Sequence, residues 1–301
     1  MVDIATTQVM QFHSGAVDDG VLQLTQLDGR EHISKPYEFR LELASTKADI
    51  DFAEMIKKPA WIGIKQGVQL AGSNTRAATT LKIHGVIESF EQVGKELEQV
   101  KYRAVLVPTL DRLRLATQSR IFQKKKIPDL VKQICDDHDV EVDTSKLSGS
   151  FDEREYIVQY EESDLDFIHR WMEHEGIYYY FVQSEDHEKV VLGNKPEGYG
   201  DMQSNEKFSY KPRNTDGSQT EAQDSEAATD DWFKEEVVFD LGCSVKMLPK
   251  EVILNDYNWR DPQTGLDCKA TISNDGKGIV YEYNDHYQTK AQGDKLANIR
   301  A

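Results

Sequence analysis

The chain has little cysteine: three residues in 301, Cys135, Cys243 and Cys268, an odd number with no C-x-x-C spacing. A disulfide framework needs paired thiols and a structural zinc site needs more ligands, so both are excluded as organising devices. The thiols read as buried groups of a protein made in a reducing compartment. Long apolar runs are absent. The longest, residues 177–182, has six residues, against the ~20 an α-helix needs to cross a bilayer. No basic segment followed by an apolar run occurs in the first fourteen residues, so no secretory signal is expected there. Positive charge is also scarce: 36 Lys and Arg against 53 Asp and Glu, a formal net charge of −17. Residues 1–150 carry −1 of it and residues 151–301 carry −16. Nucleic-acid affinity depends on Lys and Arg displacing phosphate counterions, so that half excludes nucleic-acid binding as the main role.

Motifs of catalysis are missing as well. No G-x-S-x-G elbow, G-x-G-x-x-G turn or H-E-x-x-H helix occurs. Residues 67–73 have the glycine spacing of a phosphate loop without its lysine, and read as a link between two strands. His169 and His174 invite a metal reading, but five residues on a helix is a turn of about 140°, whereas shared ligands want one face. Glu173 and Glu175, two apart, do not face each other as an acid–base pair would, and read as a solvated helix face. The aromatic run 178–181 reads as strand packing. Lys124, Lys125 and Lys126, with Arg120 nearby, form one basic cluster, a solvated loop or a contact for an acidic protein surface. Ser–His–acid triads are recognised by geometry, so spacing leaves that class open. The expectation is no enzyme, no cofactor and no metal.

What is present is a change of pattern along the chain. Over residues 37–43 apolar and charged residues alternate strictly, which predicts a strand with one buried face. Residues 21–27 alternate more weakly and end at a turn signal, Asp28–Gly29. A short helix is predicted over 51–57, stopped by Pro59, and strands over 61–65, 81–90 and 100–107, with a turn at Gly94–Lys95 and a bulge at Gly85. Close-set strands of this kind indicate a small barrel or sandwich.

From about residue 110 helices enter. Pro128 suits a first helical position, and Leu130, Val131, Ile134, Cys135 and His138 form an apolar stripe. A strand over 156–160 precedes a helix over 163–175. Ser163 caps that helix with Asp166 three residues on, Asp164 sits near its positive end, and Gly176 supplies a left-handed stop. A strand over 177–182 follows. Residues 214–231 hold six acids and no Lys or Arg, too polar to bury a core, and read as a mobile connection. Strand patterns resume over 235–245, 252–259 and 279–283. The final stretch from Thr289 is helical, with Ala291, Leu296 and Ile299, and carries no stop signal; a fragment of a longer protein is expected.

Against this background, residues 156–181, YIVQYEESDLDFIHRWMEHEGIYYYF, closely resemble the segment that marks VgrG proteins, the valine-glycine-repeat spikes of type VI secretion. SRIFQ at 119–123 with Ile127-Pro128, IHGVI at 83–87, LVPTL at 106–110 and ILNDYNW at 253–259 are similar to the same family. Residues 283–287, YNDHY, depart from the family's aromatic-acid-aromatic-Pro-Gly turn. The positions that carry the likeness are Gly85, Arg120, Ile121, Phe122, Gln123, Pro128, Gln159, Tyr160, Ser163, Asp166, Phe167, Glu173, Glu175, Gly176, Tyr178, Asp256 and Tyr257.

The resemblance implies an α+β, mainly β fold: two tube-like antiparallel β-barrel domains with an inserted α+β domain, like a phage tail hub. The expected divisions are a first barrel over 1–118, the insertion over 119–200, an acidic connecting segment over 201–233 and a second barrel over 234–301, cut short at its C-terminal end. It further implies a structural hub: a homotrimer joining the hexameric Hcp tube to a β-helical spike, in contact with baseplate proteins. The PAAR tip and effectors would be engaged by the part that follows the hub in such proteins. Assembly would take place in the bacterial cytoplasm, followed by ejection without a signal peptide. The hub of a contractile phage tail or extracellular injection particle has the same mechanics. A delivered hydrolase would need a site the sequence does not display.

Overall fold

The computed structural model describes residues 10–69, 76–96, 98–199, 209–210, 237–238 and 240–301. The chain divides into two compact units, Met1–His169 with Tyr178–Asp240, and Arg170–Ile177 with Leu241–Ala301.

In the first unit, β1 (Met10–Ser14), β2 (Gln23–His32), β3 (Lys35–Ser45), β4 (Pro59–Gln69), β5 (Arg76–Glu96) and β6 (Gln99–Val107) form one sheet in the order β1-β4-β5-β6-β3-β2. All of its pairings are antiparallel. The sheet curls until its edge strands β1 and β2 approach each other, and the inward side chains make one core. The alternation seen over residues 37–43 builds it: Tyr37, Phe39, Leu41 and Leu43 are buried while Glu38, Arg40 and Glu42 are exposed. Each such side chain contributes about 2 kcal/mol of hydrophobic stabilisation. The short helix α1 (Phe52–Lys57) starts where Asp51 accepts hydrogen bonds from the backbone N–H of Ala53 and Glu54, and inserts Met55 into this core.

Several expected turns are strand instead. Asp28 and Gly29 pair with Arg40 and Phe39 within β2–β3, and the chain reverses only at Ile33 and Ser34. Gly29 is there because a Cβ would lie 2.2 Å from the Phe39 ring. Likewise β5 runs on through Gly94 to Glu96. The bulge expected at Gly85 is absent: Gly85 pairs regularly with Ala60, and the register shifts lie between Ile87 and Ser89 and between Gln92 and Gly94. Strands β4 and β5 pair antiparallel up to Gln69 and Arg76; of the glycine stretch expected to link them at 67–73, residues 70–73 lie outside the described residues.

After a 3-10 turn (Thr109–Leu115) come β7 (Thr117–Lys125), α2 (Ile127–Asp136), β8 (Val142–Lys146), β9 (Arg154–Ser163), α3 (Asp164–Glu175), β10 (Tyr178–Gln183) and β11 (Glu188–Gly193). Strands β7 and β9 form a two-stranded ribbon, and β10-β11-β8 a separate sheet in which β8 and β11 run parallel. Pro128 is buried in the first turn of α2 with Leu130, Val131, Ile134 and Cys135. Burial pushes the Cys135 thiol up to about 12. His138 departs from the expected stripe because α2 ends at Asp136. The strands β12 (Ser209–Tyr210) and β13 (Val237–Val238) pair in parallel; otherwise the acidic segment expected over 201–233 lies outside the described residues.

In the second unit, β14 (Glu251–Asn255) pairs antiparallel with β15 (Cys268–Thr271) and parallel with β16 (Ile279–Tyr283). The helix α4 (Lys290–Arg300) is capped by Thr289 and Gln292 in a reciprocal pair. It buries Gly293, Leu296 and Ala297 against Val252, Leu254, Leu266, Cys268 and Tyr287, and Ala291 is exposed. Cys135 and Cys268 are buried as expected; Cys243 is exposed. Residues 241–250 hold no strand, although 235–245 reads as one.

Candidate functional site

The family-like residues converge first on a carboxylate that sequence reasoning placed only as a helix-end charge. Asp164 opens α3 with a side chain fully removed from solvent. Arg120, from β7, places Nη2 2.6 Å from Asp164 Oδ1 and donates through Nε to Gln159 Oε1 at 2.9 Å. Gln159, from β9 and fully buried, donates to the same Oδ1 at 2.7 Å. His138 Nε2 lies 2.9 Å from Oδ2, and Gln118 Nε2 reaches Oδ2 at 3.3 Å. The ribbon, the end of α2 and the start of α3 thus meet on one ion. Low dielectric strengthens each contact while making any lost partner costly.

Around this centre the likeness is structural. The rings of Phe122 and Phe167 stack at 5.8 Å, with the Arg120 guanidinium 5.3 Å over Phe122. Ser163 accepts from the backbone N–H of Asp166 at 3.0 Å and donates to its carboxylate at 2.6 Å, closing the expected cap. Ile121, Gln123 and Tyr160 point the other way, to the exposed face of the ribbon. Lys124 and Lys126 are exposed at its far end.

A second set joins the curled sheet to the β10-β11-β8 sheet. His84 N–H donates to Gln183 Oε1 at 2.9 Å and Ser34 N–H to the carbonyl of Tyr179 at 2.8 Å, while within the curled sheet Tyr37 Oη donates to the carbonyl of His84 at 2.5 Å. The Phe181 ring meets Tyr37 edge-on at 4.8 Å. Tyr178 stacks on Tyr199 at 4.5 Å and donates to the carbonyl of Lys195. The aromatic run 178–181 is therefore strand packing, as its pattern indicates.

The two histidines serve different units. In the first, His169 Nε2 lies 2.9 Å from Tyr179 Oη. In the second, His174 Nε2 lies 3.0 Å from the carbonyl of Asp285 and 3.4 Å from its Oδ1. Glu175 is buried rather than solvated, 3.7 Å from both His174 Nδ1 and Lys295 Nζ, whereas Glu173 is exposed. Gly176 ends the helix at φ +67°. Asp256 accepts from the N–H of Tyr257 at 2.7 Å and of Tyr287 at 3.1 Å. Among the described residues no three His, Cys, Asp or Glu side chains group as metal ligands.

Burial opposes ionisation of Asp285, but His174 and Arg300 outweigh it and hold the carboxyl below its ordinary range. A depressed folded value contributes stability that is present above the unfolded value, about 3.9, and lost as pH falls through the folded one. Asp285→Asn is therefore expected to cost about 2 kcal/mol at pH 7. The deficit should begin to shrink as pH falls through the unfolded value, about 3.9, and vanish once it passes the lower folded one, where the folded parent also loses its ion. Urea titrations at neutral pH and below the folded value measure it, and an unchanging difference would refute the assignment.

Among the described residues, Ser184, His187 and Glu141 approach a Ser–His–acid geometry. Ser184 Oγ is 3.3 Å from His187 Nδ1, and His187 Nε2 is 2.6 Å from Glu141 Oε2. However, Ser184 donates its hydroxyl proton to the carbonyl of His187 at 2.5 Å and accepts from the N–H of the same residue at 3.3 Å. The hydroxyl closes the β10–β11 turn instead of facing the imidazole as a nucleophile would.

The profile of the family described as phage tail baseplate hub (GPD) matches residues 30–301. The chain is 28% identical over 283 residues to the type VI secretion system spike protein VgrG1b of Pseudomonas aeruginosa, covering 93% of this chain and 35% of that protein. Against the actin cross-linking toxin VgrG1 of Vibrio cholerae, identity is 31% over 175 residues, 55% of this chain and 15% of the toxin. The chain thus spans about a third or less of these relatives. Among solved structures, an E. coli component of the type VI secretion system, described as similar to the T4 tail proteins gp27 and gp5, shares the fold. The TM-score is 0.54 at 20% identity, over 67% of this chain and 52% of that one.

Proposed function

The chain belongs to the phage tail baseplate hub family, and from that membership we propose that it is the hub region of a type VI secretion spike. The observation that carries this reading is the family match over residues 30–301 together with the 93% coverage by a spike protein. In this reading three copies form a ring that adapts the hexameric Hcp tube to a threefold β-helical spike. Baseplate proteins hold the ring, and a PAAR tip and effectors are carried by the part that follows it. The assembly is built in the cytoplasm and expelled when the sheath contracts.

A hub acts through shape and interfaces, which fits a molecule in which family-like side chains such as Arg120, Gln159, Phe167 and Ser163 are tied into packing and hydrogen bonds while Ile121, Gln123 and Tyr160 face outward. Membership does not by itself exclude catalysis elsewhere, since one relative is an actin cross-linking toxin. No helix among the described residues is long and apolar enough to cross a membrane, which fits delivery by contraction. Deleting the coding gene is expected to abolish release of Hcp into the culture medium, with release restored by the intact gene. Undiminished Hcp release together with loss of phage-tail particles would replace this reading with the phage hub.

A further inference from the structure

Two features of the second unit are each incomplete. Residues 241–249 form no strand, yet Leu241, Cys243, Val245 and Met247 recur at the two-residue period of a half-buried strand, and they are exposed. Leu241, Val245 and Met247 are 78%, 93% and 75% open to solvent. Strand β16 is the edge of its sheet, with no neighbour on its outer side among the described residues. Its own alternate row, Ile279, Tyr281 and Tyr283, is more than half exposed. An unpaired apolar edge is a template for another strand, and an apolar strand without a sheet is what such an edge takes.

We infer that residues 241–247 of one copy add to the β16 edge of a second copy of this chain. Pairing within one copy is opposed by where the segment arrives. Leu248 accepts from the N–H of Lys277 at 3.0 Å, and Lys250 donates to the carbonyl of Gly278 at 2.9 Å. The segment is thus pinned where β14 and β16 both begin, and from there β14 leads parallel to β16. Lying along its own β16 would require the chain to reverse within these bonded residues. Charge favours a second copy too. In a chain of net −17, whose surfaces repel, residues 241–249 hold one ionised side chain, Lys246, and β16 holds one, Glu282. They are of opposite sign. Because donor and acceptor are different surfaces of one chain, the contact closes either reciprocally between two copies or head-to-tail into a ring, and the three-copy hub reading selects the ring.

The inference rests on the trimeric hub reading only for closure into a ring and the number of copies in it. Its test is the oligomeric state of the full chain by sedimentation, in the parent and two variants. Val245→Pro removes an N–H from the donor and replaces its valine side chain by a ring, and Tyr281→Lys places a charge on the acceptor; each is expected to weaken association at least tenfold. Mixing the two should restore one interface and give a heterodimer that grows no further. In Tyr281→Cys, mild oxidation should link chains through Cys243, whereas the parent, with Tyr281 in place, should link far less. A monomeric parent, a disulfide closed within one chain, or association indifferent to both variants would overturn strand exchange. The hub reading would stand or fall separately on Hcp release.

Discussion

Asp164→Ala is expected to lower the stability of the first unit by about 3–5 kcal/mol, because it strands buried donors rather than deleting one contact. Arg120, Gln159, His138 and Gln118 all direct hydrogen-bonding atoms at this one carboxylate. Gln159 has no route to water. Alanine leaves Arg120 only Gln159 Oε1 and the buried Gln159 amide only the carbonyl of Glu162 as acceptors, so the protons that Asp164 accepted are stranded. Arg120→Ala is expected to cost less, since the remaining three partners still reach Asp164 and water can approach from the partly open side of Arg120. Substituting Arg120 and Asp164 together by leucine and asparagine, so that Gln159 keeps a partner, should recover part of the loss. Chemical denaturation of the three variants measures this, and a double variant no more stable than Asp164→Ala would show that stranded donors are not the source of the cost.

The position of this network explains which parts of the molecule were legible in the sequence. Strand β3 was read correctly because its two faces differ, Tyr37, Phe39, Leu41 and Leu43 against Glu38, Arg40 and Glu42. Helix α3 was legible because Ser163, Asp166 and Gly176 are local signals that operate within a few residues. Asp28–Gly29 misled because the pair signals a turn only when nothing across the sheet needs the space, and here the Phe39 ring does. His138 and Glu175 misled for a related reason. Each lies at an apolar or exposed position by periodicity, and each is held by a partner far along the chain, Asp164 or Lys295. No spacing rule contains that information. The parallel pairing of β14 with β16 is equally non-local, since the strands are separated by β15 and two loops. The family-like segment at 156–181 combines local signals, Ser163 and Gly176, with long-range partners, Gln159 and Asp164 bonded to Arg120.

Gly85→Ala carries the other large expected effect, a loss of about 3 kcal/mol or more, as befits a backbone clash that no rotamer can relieve. A Cβ at Gly85 would lie 2.2 Å from the carbonyl oxygen of Val107 and 3.1 Å from its carbonyl carbon, both backbone atoms of the neighbouring strand. Strand β5 would have to move away from β6, and His84 would move with it. His84 ties the curled sheet to the β10-β11-β8 sheet by donating to Gln183, and accepts from Tyr37 within the curled sheet. One methyl group should therefore also raise amide exchange along β10, beyond what lost stability explains. Tyr37→Phe, which removes a single buried hydrogen bond, should cost only about 1–2 kcal/mol. Gly94→Ala is the control in the same strand: no atom lies within 4 Å of its Cβ, so a change of about 0.5 kcal/mol or less is expected. If Gly85→Ala proved as mild as Gly94→Ala, the requirement for glycine would not come from the Val107 carbonyl. The family-like IHGVI stretch would then need an explanation outside this sheet.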